Sequence, residues 1–462
     1  MSTPTAQPID VAVIGGGITG LTAAYEAQKR GLNAVVLEAG RRPGGLIDTD
    51  HIDGFTIEAG PDSLLAQKPA GVALCRELGL AGDLQSVKPP GGAFVLKGRR
   101  LYRLPSPSML GLPIGWRALA RYDLLPRAAR ARLALEPWIP RRRKADDESI
   151  GAFFRRRFGR ASVGLIAEPL LGGIHAGDIE RLSMEALFPR LLELERTRGH
   201  VLTLGTRDEP RRAAFVAPSG GMADLVRRLA ERLGSALSTD FPVDRLERHG
   251  GGWRIWSRQS SPRPLGTRAV VLAIPAYAAA DLVQTIDAEA ARLCREIPYT
   301  STAGVALAWP RSDVPHPLAG SGFVVARRQS DVRITACTWI SSKWDHRAPP
   351  DTALMRAFLG GVHDPAVVDL DDRSLIDIVR RDLEVVLGIT AVPSLARVYR
   401  WRRASVQHNV GHLARVAAIE MRLAAHPGLA VAGGGFHAVG IPDCIADARA
   451  VVERLVSSRS ES

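Results

Sequence analysis

The sequence predicts an α/β protein with a Rossmann-like nucleotide-binding unit, and three observations carry that prediction. Residues 9–14 are a nearly continuous apolar run of strand length that leads into Gly15-Gly16-Gly17-Ile18-Thr19-Gly20. The helix formers Leu21 to Ala27 follow, Gly31 closes that helix, and a second apolar run over residues 33–37 ends at Glu38. Strand, glycine turn, helix and strand within about 30 residues make a βαβ unit. Near the other end, residues 429–432 run into a second glycine turn, Gly433-Gly434-Gly435, and a helix is expected from about residue 443 to 456.

Between these ends the reading proceeds element by element. Residues 64–84 read as a helix, with Leu64, Leu65, Val72, Leu74 and Leu78 as its apolar positions. Residues 93–104 read as two short strands around Gly98. From Trp116 onward arginines recur in an apolar background and end in Arg141-Arg142-Arg143-Lys144. Helical patterns over 149–205 are broken at Gly172-Gly173 and at Gly177, and Ser219-Gly220-Gly221-Met222 opens a helix over 222–233. Short strands are expected at 243–246, 253–257 and 269–274, with a Ser/Pro/Gly-rich turn at 260–266. Residues 310–317 form a loop, 322–340 and 352–360 alternate as sheet strands do, and 372–387 is an amphipathic helix. There is no internal repeat and no low-complexity tract.

At 462 residues the chain is long for one core, and about 150 residues per domain gives two to four domains. Its 46% hydrophobic and 24% charged residues are an ordinary globular mixture, which excludes a disordered, collagen-like or disulfide-scaffold chain. No run approaches the roughly 18 apolar residues that cross a bilayer, and Met1 to Asp10 lacks the basic-then-apolar pattern of a secretory signal. Cys75, Cys294, Cys337 and Cys444 lie far apart with no C-x-x-C pair, so buried thiols in a reducing cytoplasm are expected and no metal site is. The balance of 61 basic against 48 acidic residues leaves a net +13. Lysine occurs only at positions 29, 68, 88, 97, 144 and 343, so arginine carries nearly all of it. Such an excess fits nucleic acid, an anionic membrane surface or an anionic small substrate, and charge does not choose among them. A nucleic-acid reading rests on charge alone and is not adopted.

The chemistry begins at the first turn. Gly15, Gly17 and Gly20 form G-x-G-x-x-G, in which glycine allows a tight turn, approach of a pyrophosphate to backbone, and close packing of helix on strand. The helix N-terminus brings free N–H groups and partial positive charge to the phosphates. Glu38 ends the second strand 18 residues after Gly20, where a carboxylate accepts a ribose hydroxyl and disfavours a 2′-phosphate. Both NAD and FAD satisfy this much.

The sequence continues Glu38-Ala39-Gly40-Arg41-Arg42-Pro43-Gly44-Gly45, which matches E-A-x-x-R-x-G-G and resembles flavin proteins of the amine-oxidase type. Glu58-Ala59-Gly60-Pro61-Asp62-Ser63 matches the next stretch of that family, and Val439-Gly440-Ile441-Pro442-Asp443-Cys444 resembles its C-terminal flavin-contacting segment. The resemblance implies FAD. It assigns the cofactor contacts to Gly15, Gly16, Gly17, Ile18, Thr19 and Gly20, then to Glu38, Ala39, Arg42 and Gly45. Further contacts fall to Gly60, Pro61, Asp62 and Ser63, to Val243 and Trp401, and to Val439, Gly440 and Ile441. Arg42 offers charge to the diphosphate, and the helix after Gly440 faces the pyrimidine end of the ring.

Further segments resemble the porphyrinogen oxidases of haem biosynthesis over almost the whole chain. They are Phe153-Phe154-Arg155-Arg156-Arg157-Phe158-Gly159, then Glu168 through Gly172-Gly173-Ile174-His175-Ala176-Gly177-Asp178, and Gln407-His408-Asn409-Val410-Gly411-His412 after Trp401. The stretches Ile334 to Trp339, Lys343-Trp344 and Gly440 to Cys444 are most similar to the soluble bacterial branch, which oxidises coproporphyrinogen III; another branch oxidises protoporphyrinogen IX. Many members of the latter place an arginine before an aromatic residue, where this chain has Ala93 before Phe94. His408 stands where tyrosine is common in the family.

The resemblance implies removal of six hydrogens from a macrocycle as three hydride-type transfers to flavin N5, each with loss of a pyrrole proton, and reoxidation by dioxygen to peroxide. No catalytic side chain is nominated, because the product's aromaticity drives the reaction. Gly173 resembles the position whose carbonyl faces the pyrrole nitrogens; it reads equally as a helix-ending glycine. A substrate with four carboxylates gives the arginine excess a use, and weak peripheral membrane contact through 117–144 fits the same charge. An amine oxidase or carotenoid desaturase on the same scaffold, and a flavin-bearing porphyrin binder without turnover, are the competing readings. The expected division is a discontinuous FAD-binding domain (1–90, 215–275 and 400–462), a mixed-sheet substrate domain (276–399) and a mainly helical domain (91–214).

Overall fold

The computed structural model describes residues 8–142, 146–203, 215–257 and 261–460. Arg143 and Lys144 of the basic run lie outside the described residues. The βαβ unit forms as read: β1 is Ile9–Ile14, α1 is Ile18–Lys29 and β2 is Ala34–Leu37. β1 pairs in parallel with β2 and, on its other side, with the long strand Ser261–Leu272. Leu429–Val431 adds in parallel to that long strand, so the chain's far end completes the sheet begun at its start. Leu237–Ser238 extends the sheet beyond β2, and the antiparallel strands Gly252–Ser257 and Arg245–His249 extend the opposite edge.

A second sheet runs in the order Leu395–Val406, Tyr299–Pro310, Thr352–Gly360, Ala336–Trp339, Gly322–Val325, Phe94–Lys97 and Arg100–Arg103. Its pairs are antiparallel except that Gly322–Val325 lies parallel to Phe94–Lys97. This sheet therefore draws on residues 94–103 as well as on 299–406. One face packs on the helix Asp372–Leu387 through Leu375, Val379 and Leu383, all fully buried. Asp371 caps that helix, its carboxylate accepting from Ser374 N at 2.8 Å, and Gly388 ends it in the left-handed conformation. From the opposite face Ala306, Ala308 and Leu354 join the core that holds Leu21, Val36 and Ile445, so the two sheets share buried apolar surface. The helical part has its own core around Phe153, Phe154, Phe158 and Ile166.

Several local expectations shift. Residues 64–84 are not one helix: Leu64–Leu65 is a short strand paired with Phe215 and Val216, and the helix is Pro69–Glu77. The proline decides this, because a residue before proline avoids helical geometry and Lys68 is extended (φ −95°, ψ 107°). The expected break at Gly172-Gly173 is absent. A wide π-helix, Val163–Gly172, passes through Gly173 in helical geometry, and the chain turns only at Ala176 (φ 49°). The expected turn at 260–266 is strand from Ser261 onward, and the strand expected at 243–246 is Arg245–His249, leaving Val243 before it. The 322–340 stretch is two strands separated by a 3-10 turn at Arg327–Gln329.

Candidate active site and cofactor cradle

The first turn is shaped by steric necessity. Gly15 has φ +105°, and a Cβ there would lie 2.5 Å from the Ala273 carbonyl oxygen. A Cβ on Gly20 would lie 1.9 Å from the Gly15 carbonyl oxygen. Gly17 differs, because nothing stands within 4 Å of its Cβ position. Helix α1 starts beside that open space with no side-chain cap and no acidic residue in its first turn, so its leading N–H groups and dipole are available to an anion. Ile18 and Thr19 are buried in that first turn.

Glu38 stands next to it. One carboxylate oxygen accepts from Gly16 N at 2.6 Å and the other from Gly40 N at 2.7 Å, which fixes the side chain at the end of β2. Ala39 is exposed just beyond. Gly44 N donates to Gly16 O at 2.7 Å, bringing the 39–45 loop onto the turn, and a Cβ on Gly45 would sit 3.3 Å from Gly17 Cα. The Arg42 guanidinium donates to Gly45 O at 3.2 Å and Ile47 O at 3.1 Å and pairs with Asp48 at 3.2 Å. Arg42 thus closes its own loop, with any charge it offers a diphosphate shared with Asp48.

The loop 58–63 is held from the second sheet. The Trp401 indole N–H donates to Ala59 O at 2.7 Å. Arg356, buried, donates to the Glu58 carbonyl and to Gly60 O at 2.7 Å. Lys343 reaches Asp62 at 2.7 Å, and the Ser63 hydroxyl donates to the same carboxylate at 2.7 Å. Burial alone would raise the Asp62 carboxyl, but Lys343 and Arg356 outweigh it and hold Asp62 well below the usual carboxylate range. The Glu58 side chain accepts from Thr49 at 2.7 Å and Met222 N at 2.9 Å and pairs with buried Arg347 at 3.2 Å; burial still pushes its pKa up. A Cβ on Gly60 would lie 1.9 Å from Leu46 O, so this loop lies against the segment that follows Gly45.

The C-terminal turn touches the first one, for a Cβ on Gly433 would lie 2.9 Å from Thr19 Oγ1. Asp447 accepts from Gly433 N at 2.6 Å, His408 Nε2 meets Gly434 O at 2.9 Å, and His412 Nε2 meets Phe436 O at 2.7 Å. Gly434 and Gly440 have essentially open space at their Cβ positions. Val439 packs against the helical core, and Ile441, buried, begins the helix Ile441–Ser460. Lys68 Nζ lies 2.5 Å from Asp443 in that helix's first turn. Gln407 donates to His175 O at 2.9 Å, which ties the Gly173–His175 segment to the same corner. Burial, with His408 and Lys68 nearby, pushes the His175 pKa down to about 4. Gly173 has nothing within 4 Å of its Cβ position, and Ile174 beside it is 69% exposed.

The structure thus gathers the three glycine-rich segments, Glu38, Trp401 and Gly173 around one region. Val243 is partly buried with the cluster that holds Ile14 and Leu37. Sequence reading missed Arg356, Arg347, His412 and Asp447 as site-shaping groups. Arg356 was visible as a lone cation inside the apolar strand Thr352–Gly360, and a buried unpaired cation is too costly to be idle. Among the described residues no cluster of histidine, cysteine or acidic side chains has metal-binding geometry.

The family model described as flavin containing amine oxidoreductase matches residues 18–456. The chain belongs to that family. FAD is its cofactor, and the open faces at Gly17, Gly434 and Gly440, together with the uncapped start of α1, fit that group. Among its relatives is the coproporphyrinogen III oxidase of Bacillus subtilis (strain 168), 34% identical over 96% of this chain and 97% of that protein. Another is the chloroplastic protoporphyrinogen oxidase 1 of Spinacia oleracea, 28% identical over 95% of this chain and 82% of that protein. The crystal structure of an Exiguobacterium sp. 255-15 protein, provisionally titled a protoporphyrinogen oxidase, superposes with a TM-score of 0.86 at 32% identity, covering 97% of this chain and 98% of that one. This flavin oxidoreductase therefore keeps the relatives' architecture from end to end.

Proposed function

We propose that this chain is an oxygen-dependent porphyrinogen oxidase of haem biosynthesis that converts coproporphyrinogen III to coproporphyrin III with hydrogen peroxide as by-product. The observation that carries this reading is the nearly full-length similarity to the Bacillus subtilis coproporphyrinogen III oxidase. FAD, when bound, would supply the two-electron redox chemistry, with dioxygen as the final acceptor. The chain's own residues bind, orient and exclude water. The α1 N-terminus at Gly17 to Thr19 receives the diphosphate, and Glu38 accepts from the adenosine ribose. The loop from Gly60 to Ser63, braced by Arg356, Trp401 and Lys343, and the segment from Val439 to Ile441 hold the flavin end. Gly173 lets its backbone approach the macrocycle, and a substrate rich in carboxylates suits the basic surface.

The alternative substrate is protoporphyrinogen IX, the substrate class in the spinach relative's name. Ala93 argues against it: the cation at Phe94 is Arg103, with its guanidinium carbon 5.6 Å from the ring centre, and not a residue preceding Phe94. The three-part domain division, a cytoplasmic location and weak membrane contact belong to the same proposal. Among the described residues no helix is long and apolar enough to cross a membrane.

The test compares kcat/KM of the purified holoenzyme for coproporphyrinogen III and protoporphyrinogen IX by porphyrin fluorescence. A preference of about tenfold or more for coproporphyrinogen III is expected, equivalent to ~1.4 kcal/mol of differential stabilisation. The opposite preference would overturn the substrate assignment. Porphyrin binding without turnover would make the chain a carrier.

A further inference from the structure

Behind the C-terminal glycine turn lies a pair of histidines that the reaction does not use. His408 and His412 are buried, at 2% and 1% exposure, and their ring centres are 4.3 Å apart. Each meets a carbonyl of the turn through Nε2, Gly434 O for His408 and Phe436 O for His412. A carbonyl only accepts, so Nε2 must carry the proton in both rings. Nδ1 of each ring has no hydrogen-bond partner, and in the neutral Nε2–H tautomer it is a bare acceptor. Leaving two acceptors unsatisfied in the interior is costly, so the carbonyl contacts are retained against that cost.

The rest of the turn shows what the contacts do. Asp447 takes the Gly433 N–H, and Phe436 N closes back on Gly433 O at 2.9 Å. Among the described residues the N–H groups of Gly434 and Gly440 find no protein acceptor, and both glycines face open space. With the Gly434 and Phe436 carbonyls held by the histidines, the Gly434 N–H of the turn is left free beside open space.

We propose that His408 and His412 are positioning residues for the cofactor. As neutral Nε2–H donors they pin the carbonyls of the 433–436 turn from behind, so that its free N–H groups are already aimed when FAD arrives. This rests on the reading that the turn belongs to the FAD site, and the experiment separates the two.

Apo-protein is titrated with FAD and the Kd is read from flavin fluorescence. His408→Phe keeps the bulk and removes the donor, and is expected to raise Kd on the order of tenfold. His408→Gln, whose amide N–H replaces the Nε2 donor, is expected to stay within about threefold of the wild type. Gly434→Trp fills the open face and is expected to lose FAD. A normal Kd in His408→Phe with a defective Gly434→Trp would overturn the proposal alone; normal Kd in both would overturn the site reading as well. If His408→Phe does not fold, histidine-selective ¹⁵N NMR of the wild type decides. Both residues are expected as neutral Nε2–H tautomers at pH 7 whose signals move when FAD binds. An Nδ1–H tautomer, or signals indifferent to FAD, would overturn the proposal.

Discussion

The geometry at Gly17 and Glu38 was legible from the sequence because it is local: a glycine turn and the end of the adjoining strand. Gly17→Leu places a side chain in the open space proposed for the diphosphate, and the protein is expected to fold yet purify without yellow colour, as its visible spectrum would show. Arg356 acts across 296 residues on Gly60 O, and no spacing rule reaches that far. Arg356→Ala would leave the Glu58 and Gly60 carbonyls and the Asp62 charge without this partner. A stability loss of about 3–5 kcal/mol is expected in urea unfolding, with weaker FAD retention. His412 gives a pH test. Burial first, then the nearby charges, push its pKa down to about 4, against an ordinary value of 6.5 in the unfolded chain. As the pH falls below about 6.5 the unfolded chain takes up a proton that the folded one refuses, so stability declines until the pH passes about 4. The full effect is about 3 kcal/mol. Between pH 7.5 and 4.5 the wild-type urea midpoint should therefore fall more steeply than that of His412→Gln; parallel curves would contradict this.

The elements repeat this division between near and far. The βαβ unit was legible because strand, turn and helix periodicities are contiguous there, and the helix 372–387 because its cap, apolar face and closing glycine all agree. The stretch 64–84 was misread because apolar spacing was weighed and the Lys68-Pro69 boundary was not. The long strand Tyr299–Pro310 escaped notice because a strand buried on both faces loses simple alternation, as the run of buried residues from Ala303 to Trp309 shows; its edge neighbour Leu395–Val406, with only one buried residue, has no apolar alternation to read. Close packing of α1 on β1 depends on Gly20. Gly20→Ala brings a methyl within 1.9 Å of the Gly15 carbonyl oxygen, so the helix must move away. A loss of about 1–3 kcal/mol and of FAD binding is expected from thermal melts and flavin content. The π-helix Val163–Gly172 carries Gly173 to a position with open space at its Cβ, where the proposed function puts the macrocycle. Gly173→Ile is expected to leave FAD content unchanged and to lower porphyrin formation about tenfold, by misplacing the macrocycle.

At the scale of the whole molecule, one site is assembled from both ends of the chain and braced by a second sheet. The first sheet supplies the glycine turn and Glu38, and the last strand and helix supply Gly433 to Ile441. The second sheet reaches across with Trp401, Arg356 and, from the helix after Trp339, Lys343. Cofactor binding therefore reports on the joining of distant segments, and the family resemblance was legible from end to end because each of these segments carries its own motif. The substrate is less legible, since carboxylate recognition depends on which of many arginines the fold brings together.

The most direct test supplies coproporphyrinogen III to the purified holoenzyme in air, following coproporphyrin fluorescence and oxygen uptake together. Coproporphyrin is expected to accumulate with about three dioxygen molecules consumed per porphyrin, and to stop after the bound FAD is reduced when oxygen is withheld. A yellow, folded protein that binds the porphyrinogen but forms no porphyrin above the spontaneous rate would contradict the account.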